Sequence, residues 1–363
     1  MKLARSTISI YQLPYPRPVR WKDTVEDGGL FALLRIVAED GSEGVAEGPI
    51  KPTWTGTVPR ALAAAIDDML LPALKDTAID DPSAVAKRLA SFPENTLAKG
   101  LIDNACWDLK ARVEGKPLWQ LLGGQPEVAL SWTVTRASPQ EMAREAADMV
   151  ERYGFGTLKI KGGQSFEIDA RALAEIRAAV GSSVRLYVDA NAAFSIEQGR
   201  EYARLISDAG GTHAEDPCEL APDAWFEQTQ RESPIPWVVD SRCQTLRDAK
   251  LFLARGAKAL GIKPTRVGAS MALDVARLAD RSGARSNVGL HAESALGSLA
   301  ATHVAAAFPR HSDTLPAETS FFLAYADQIL HETPRIADGR IRLDDSPGLA
   351  HRIDPVKLAR FQV

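Results

Sequence analysis

Residues 157–163 read TLKIKGG, residues 184–191 read VRLYVDAN and residues 211–217 read GTHAEDP, and the parity inside these runs decides the fold. Side chains alternate across an extended strand, so Thr157, Lys159 and Lys161 share one face while Leu158 and Ile160 share the other. By the same rule Tyr187, Asp189 and Asn191 fall together, as do His213 and Glu215. Working outward, five more β-rich runs occur, namely ALSWTVT (129–135), WVVDSRC (237–243), ALGIKPT (259–265), SNVGLHAES (286–294) and LPAETSFF (315–322). One polar residue near the carboxyl end of each run after the first gives Lys161, Asp189, Glu215, Asp240, Lys263, Glu293 and Glu318, in steps of 23 to 30 residues, the length of one βα unit. Between the runs, Ser138-Pro139-Gln140-Glu141 and Ser195-Ile196-Glu197-Gln198 are capping boxes that start helices, and Gly154, Gly181 and Gly210 sit where helices should end. An open doubly wound sheet would advertise a phosphate-binding glycine loop, and only Gly154-Phe155-Gly156 is present. Eight runs at this spacing predict a closed α/β barrel from about residue 125 to residue 363.

The first third reads differently. In LFALLRIVAEDGSEGVAEGPI (30–50), two β-rich runs flank Asp40-Gly41, the mark of a hairpin. Residues 14–29, with prolines at 14, 16 and 18, are too long and irregular for a simple turn and are expected to form a mobile loop. Ile102, Ala105, Cys106, Leu109 and Val113 recur on one face of a helix that Gly115 and Pro117 stop. This third is therefore α+β.

In a barrel the carboxyl ends of the strands bring Asp189, Glu215 and Asp240 to one mouth, flanked by Lys159 and Lys161 on one side and Lys263 on the other. Charges are rarely buried unless paired or bound to metal. Three carboxylates from consecutive strands make an all-oxygen site suited to a hard divalent cation, Mg²⁺ where open positions are kept for substrate. A lysine beside another ammonium and a divalent cation is pushed towards the neutral amine that a base at neutral pH needs. A carboxylate substrate could then lose its α-proton, the metal stabilising the enediolate that forms.

The chain has 363 residues, 45% hydrophobic and 25% charged, with 43 Lys and Arg against 47 Asp and Glu, for a net charge of −4. That balance offers no electrostatic footprint for nucleic acid or an anionic membrane, so a small-molecule partner is expected. Cys106, Cys218 and Cys243 are an odd number at unrelated spacings, which suits a reducing cytoplasm and small buried hydrophobes. The opening MKLARSTISIYQLPYP lacks a long apolar core and no segment approaches 18 apolar residues, so neither a signal peptide nor a membrane span is expected.

On these residues the sequence resembles the enolase superfamily, and within it the muconate lactonizing enzyme subgroup. EDGSEGVAEG (39–48) is similar to the subgroup's capping hairpin, and LIDNACWDLKARVEGKPLWQLLGG (101–124) to its helix and linker into the barrel. Lys159-Ile160-Lys161 matches its Lys-x-Lys, Asp189, Glu215-Asp216-Pro217 and Asp240 its three metal ligands, and Ile262-Lys263-Pro264 its second catalytic lysine. The resemblance implies a (β/α)₇β TIM-like barrel (125–363) with an N-terminal α+β capping domain (1–124), the C-terminal tail packing back on the cap. It implies bound Mg²⁺, capping loops that close the site, a homo-oligomer, and an activity among cycloisomerases, racemases or epimerases and dehydratases acting on a small carboxylate. Lys161, Lys263 and Lys159 are then the catalytic set, and Asn191, His291, Glu293, Trp21, Trp54 and Glu318 the expected substrate contacts. Lysines facing both sides favour epimerisation or cycloisomerisation over one-face elimination. The chain departs from the subgroup at Ser241, where an acidic residue is common, at Ala269, where a second glycine is usual, and at His291. The missing acid motivates a catalytically silent binding barrel as an alternative, and a lysine forming a Schiff base is another.

Overall fold

Three long strands open the chain, β1 (Leu3–Arg20), β2 (Val25–Ala38) and β3 (Glu43–Pro49), and they form an antiparallel sheet with β2 in the middle. The computed structural model describes residues 1–22, 24–308 and 314–363. The hairpin expected at Asp40-Gly41 joins β2 to β3, with Gly41 at φ +86° where a left-handed turn residue is needed. Residues 14–29 correct the loop expectation, because 14–20 extend β1 and 25–29 begin β2, Asp23 alone lying outside the described residues. The prolines are tolerated because β1 is an edge strand, and the β1–β2 register shifts between Pro14 and Val19. Tyr15, Val19 and Trp21 are buried, which anchors this strand extension.

The helix Thr96–Glu114 lies on this sheet and buries Ile102, Ala105, Cys106 and Leu109 as its period requires. Val113 does not follow and is 38% exposed, since it falls in the last turn before the Gly115 cap at φ 63°.

After β4 (Glu127–Ala129) come seven parallel strands: β5 (Trp132–Val134), β6 (Thr157–Lys161), β7 (Arg185–Asp189), β8 (Gly211–Glu215), β9 (Trp237–Val239), β10 (Ala259–Ile262) and β11 (Arg285–Val288), paired in chain order. The expected eighth strand in 315–322 is reduced to a bridge. Ser131 N donates to Ala317 O at 2.9 Å and Glu318 N donates to Val288 O at 2.8 Å, so this one segment links β11 to the chain entering β5 and closes the barrel. Both capping boxes form, at Ser138 with Glu141 and at Ser195 with Gln198.

Parity sorts the strands as the sequence implied. Leu158, Ile160, Leu186, Val188, Val239, Leu260 and Ile262 are buried in the large core beneath the helices. Tyr187, Val238, Ala259 and Leu315 form a small separate cluster, the floor on which the charged mouth rests. β12 (Ile336–Ala337) and β13 (Arg340–Arg342) form a ribbon with β4, and the chain ends on β1 through Val363 N to Ile10 O at 3.0 Å. No helix among the described residues is long and apolar enough to cross a membrane.

Candidate active site

At the carboxyl ends of the strands the charges form a paired row. Lys159 Nζ lies 2.7 Å from Glu215 Oε1, 2.7 Å from Glu318 Oε2 and 3.2 Å from Asp189 Oδ2, with 1% of the side chain exposed. Burial alone would push its ammonium towards neutrality, but Glu215, Glu318 and Asp189 outweigh this and hold it well above the ordinary lysine value. Lys161 Nζ donates to the same Asp189 Oδ2 at 2.6 Å and approaches Asn191 Oδ1 at 3.4 Å. At the far end of the row Lys263 pairs with Asp240.

The carboxylates respond to this arrangement. Burial would raise Asp189, yet the Lys161 and Lys159 ammoniums hold it far below the usual range. Asp240 is likewise lowered, Lys263 and Lys159 outweighing burial. Glu215 goes the other way, pushed up by burial and by the neighbouring charge of Asp189, with Glu318 and Asp240 adding to it. Asp216, which the sequence reading did not single out, is raised to about 6 by burial, Asp240 and Asp189. It accepts from the backbone N–H of Asp240 at 3.2 Å and of Ser241 at 2.8 Å, so it fixes the turn that carries Asp240.

Among the described residues, no three His, Cys, Asp or Glu side chains are drawn together as a ligand group. The donor set nonetheless fits a divalent cation, because Asp189, Glu215 and Asp240 are all-oxygen, buried and close enough to repel one another, with lysines providing the compensation in this structure.

The backbone is strained at the same mouth. Asn191 (φ 51°), Ala192 (φ 55°), Asp216 (φ 37°) and Ala292 (φ 61°) all adopt the left-handed region without being glycine, and each lies just beyond a barrel strand. Asn191 N donates to Asp189 Oδ1 at 2.8 Å, so the bend after β7 is held by that carboxylate.

A cavity of about 270 Å³ opens over the row, bordered by Lys161, Asn191, Asp240, Lys263, Arg266 and Trp54 among others. Trp21 packs edge-on against Trp54 at 5.1 Å, and Lys51 Nζ sits 4.8 Å from the Trp21 ring while pairing with Glu26. Lys51 is only 3% exposed, unlike the solvated surface group that a lone lysine usually is. Glu293 and His291 are fully buried beside Thr265, and burial raises Glu293 to about 7. Glu318 lies below the row, where Tyr187 Oη, Asn287 Nδ2, Leu290 N and Lys159 Nζ all donate to it. Arg266 was also missed; its Nε and Nη2 are buried without a hydrogen-bond partner. The signals available in the sequence were its position three residues after Lys263 and, for Asp216, the position directly after Glu215.

Comparison with known proteins fits this geometry. Residues 141–357 match the family described as enolase C-terminal domain-like, and residues 6–123 match the mandelate racemase / muconate lactonizing enzyme N-terminal domain. The chain is 29% identical to a chloromuconate cycloisomerase of Pseudomonas putida, covering 99% of each chain. It is 30% identical to an L-Ala-D/L-Glu epimerase of Bacillus subtilis, over 84% of this chain and 85% of that one. In fold it superposes on a muconate lactonizing enzyme from Pseudomonas fluorescens complexed with muconolactone, with a TM-score of 0.93, 23% identity and coverage of 100% and 99%. An N-succinyl Arg/Lys racemase from Bacillus cereus superposes with a TM-score of 0.90 at 22% identity, covering 100% and 98%. The chain is an enzyme of the enolase superfamily, in its muconate lactonizing enzyme subgroup.

Proposed function

We propose that this isomerase moves a proton at the carbon α to a carboxylate, using Lys161 on one face of the substrate and Lys263 on the other. The observation that carries the reading is the placement of these two lysines: each pairs with a terminal carboxylate of the row, Asp189 or Asp240, with β7, β8 and β9 between their strands. A group at either end of the row could take a proton from one face and return it to the other, which is epimerisation; one group acting alone would serve a cycloisomerase.

Asp189, Glu215 and Asp240 are the residues that would hold Mg²⁺, which when bound would draw charge from the substrate carboxylate and so acidify its α-proton. Lys159, kept charged by three carboxylates, holds Asp189 and Glu215 in place and adds a fixed positive charge beneath the reacting carboxylate. Glu318, saturated by four donors of the chain, is a positioning residue for Lys159 in this reading rather than a substrate contact. Trp54, backed by Trp21, walls off the substrate from water and Asn191 borders it, while His291 and Glu293 are read as contacts from the buried layer behind Trp54 and Leu290. Residues 1–124 act as the cap and 125–363 as the barrel, with a small carboxylate as partner and the cytoplasm, where three free cysteines stay reduced, as the compartment.

The test is α-proton exchange in heavy water with dipeptides, N-acyl amino acids, cyclic amino acids and muconates, with Mg²⁺ and with a strong chelator. Exchange that needs the metal is expected for at least one class. Exchange that is unchanged by the chelator, or absent from every class, would contradict the proposal.

A further inference from the structure

His291 stands in a chain of three buried side chains whose proton order follows from their contacts. Thr265 Oγ1 lies 2.8 Å from Glu293 Oε1 and 3.0 Å from His291 Nδ1, and none of the three residues is more than 1% exposed. A hydroxyl has one proton. Thr265 Oγ1 donates it to Glu293 Oε1 when Glu293 is a carboxylate, so in that form the Thr265 oxygen can only accept from His291, which places the proton on Nδ1. Nε2, across the ring, is then a lone-pair acceptor. It is buried and has no hydrogen-bond partner in the protein. Lys263, Arg266 and Lys51 surround the ring with positive charge, which opposes protonation of Nε2 in addition to the effect of burial. The ring lies nearly parallel to Trp54, 6.4 Å between centroids and 21° between planes, and Trp54 and the adjacent Leu290 border the cavity above Lys161 and Lys263.

A buried acceptor left without a donor is costly to the fold, so such a group is explained when the ligand supplies the donor. We propose that His291 Nε2 accepts a hydrogen bond from an N–H on the substrate next to the reacting carbon, so that the substrate is an amino-acid derivative rather than a hydrocarbon dicarboxylate such as muconate, which has no donor to give. The inference rests on the α-proton reading above and narrows its substrate class. A site built around an unpaired acceptor rejects the analogue lacking the donor far better than an apolar pocket rejects a change of size.

The experiment compares α-proton exchange, as kcat/KM, for N-acetylalanine and alanylalanine against the same compounds methylated on the nitrogen next to the α-carbon, in the wild-type enzyme, His291→Phe and His291→Gln. Phe keeps the flat ring against Trp54 and removes the acceptor, whereas Gln keeps an acceptor without the ring. The wild-type enzyme should favour the N–H compound by about tenfold or more, Phe should erase most of that preference, and Gln should restore part of it. Because the readout is a ratio within one variant, lower overall activity or stability does not disturb it. A preference unchanged in His291→Phe, or turnover of muconate that exceeds every N–H compound, would overturn the assignment while leaving α-proton chemistry standing. No exchange from any compound in the wild-type enzyme would overturn both.

Discussion

The two lysines at the ends of the carboxylate row are held by different parts of the molecule. Lys161 lies within β6, directly opposite Asp189 in the parallel register, and the barrel ladder alone fixes both. Lys263 lies one residue beyond β10, in the turn before the short helix Pro264–Val267, and its support comes from the helix Thr96–Glu114. Asn104 Nδ2 donates to Pro264 O at 2.9 Å and Asn104 Oδ1 accepts from Ala269 N at 2.8 Å. Asp103 accepts from Ser270 N at 2.9 Å and from Ser270 Oγ at 2.7 Å. Gly100 brings this helix so near that a Cβ there would run into Arg266 O. One lysine therefore inherits the rigidity of a sheet, and the other depends on the first third of the chain staying docked.

The largest effect should come from removing what the two ends share. Glu215→Gln deletes the central carboxylate, and exchange should fall on the order of a thousandfold for both stereoisomers of a substrate, with the urea midpoint of unfolding nearly unchanged. A loss confined to one stereoisomer would show that the ends do not share a centre.

Next is Lys159, whose removal strands Glu215 and Glu318 without their cation and leaves Asp189 with Lys161 alone. Lys159→Met should cost about 3–5 kcal/mol of stability, read from urea unfolding, because an uncompensated buried charge is left behind. A cost below about 1 kcal/mol would mean that the three carboxylates take up protons or rearrange with ease.

Asn104→Ala sharpens the contrast between the ends. It leaves a buried N–H and a buried carbonyl without partners, at about 1–3 kcal/mol each. Exchange dependent on Lys263 should drop severalfold while that dependent on Lys161 holds. Equal loss on both would show that the first third of the chain supports the whole mouth rather than one side of it.

The last effect, which leaves proton exchange at the site untouched, concerns the fold away from the mouth. His303, which accepts from Trp119 N at 3.1 Å through Nδ1, is pushed down to about 3 by burial and by Arg352. Its folded value lies below its unfolded one, so the stability it contributes is present above about pH 6.5 and is lost as pH falls towards 3. Over that window urea unfolding should show up to about 1.4 kcal/mol lost per pH unit that His303→Gln does not lose. The same slope in both proteins would show that His303 does not set it.

Strand parity and the step between βα units placed Lys159, Lys161, Asp189, Glu215, Asp240 and Lys263 at one mouth from sequence, because period-2 alternation and unit length are local properties. Both capping boxes were legible for the same reason. What was hidden depended on distant partners. Residues 14–20 look like a loop until the edge position of β1 excuses the prolines. Lys51 looks solvated until Glu26, Trp21 and Trp54 close around it. Asn104 is one of several polar residues on an amphipathic helix until Pro264 and Ala269, far along the chain, meet it. The eighth run reads as a strand, yet it closes the barrel through a few backbone bonds on either side of Ala317.

The most direct test of two-sided proton transfer is stereospecific: hydrogen–deuterium exchange at the α-carbon of each enantiomer of one substrate, followed by nuclear magnetic resonance in heavy water, for Lys161→Ala and Lys263→Ala. Each variant should lose exchange with one enantiomer and keep it with the other, and the two losses should be opposite. If Lys263→Ala still exchanges both enantiomers, Lys263 is an electrostatic partner only, and proton transfer belongs to Lys161 alone.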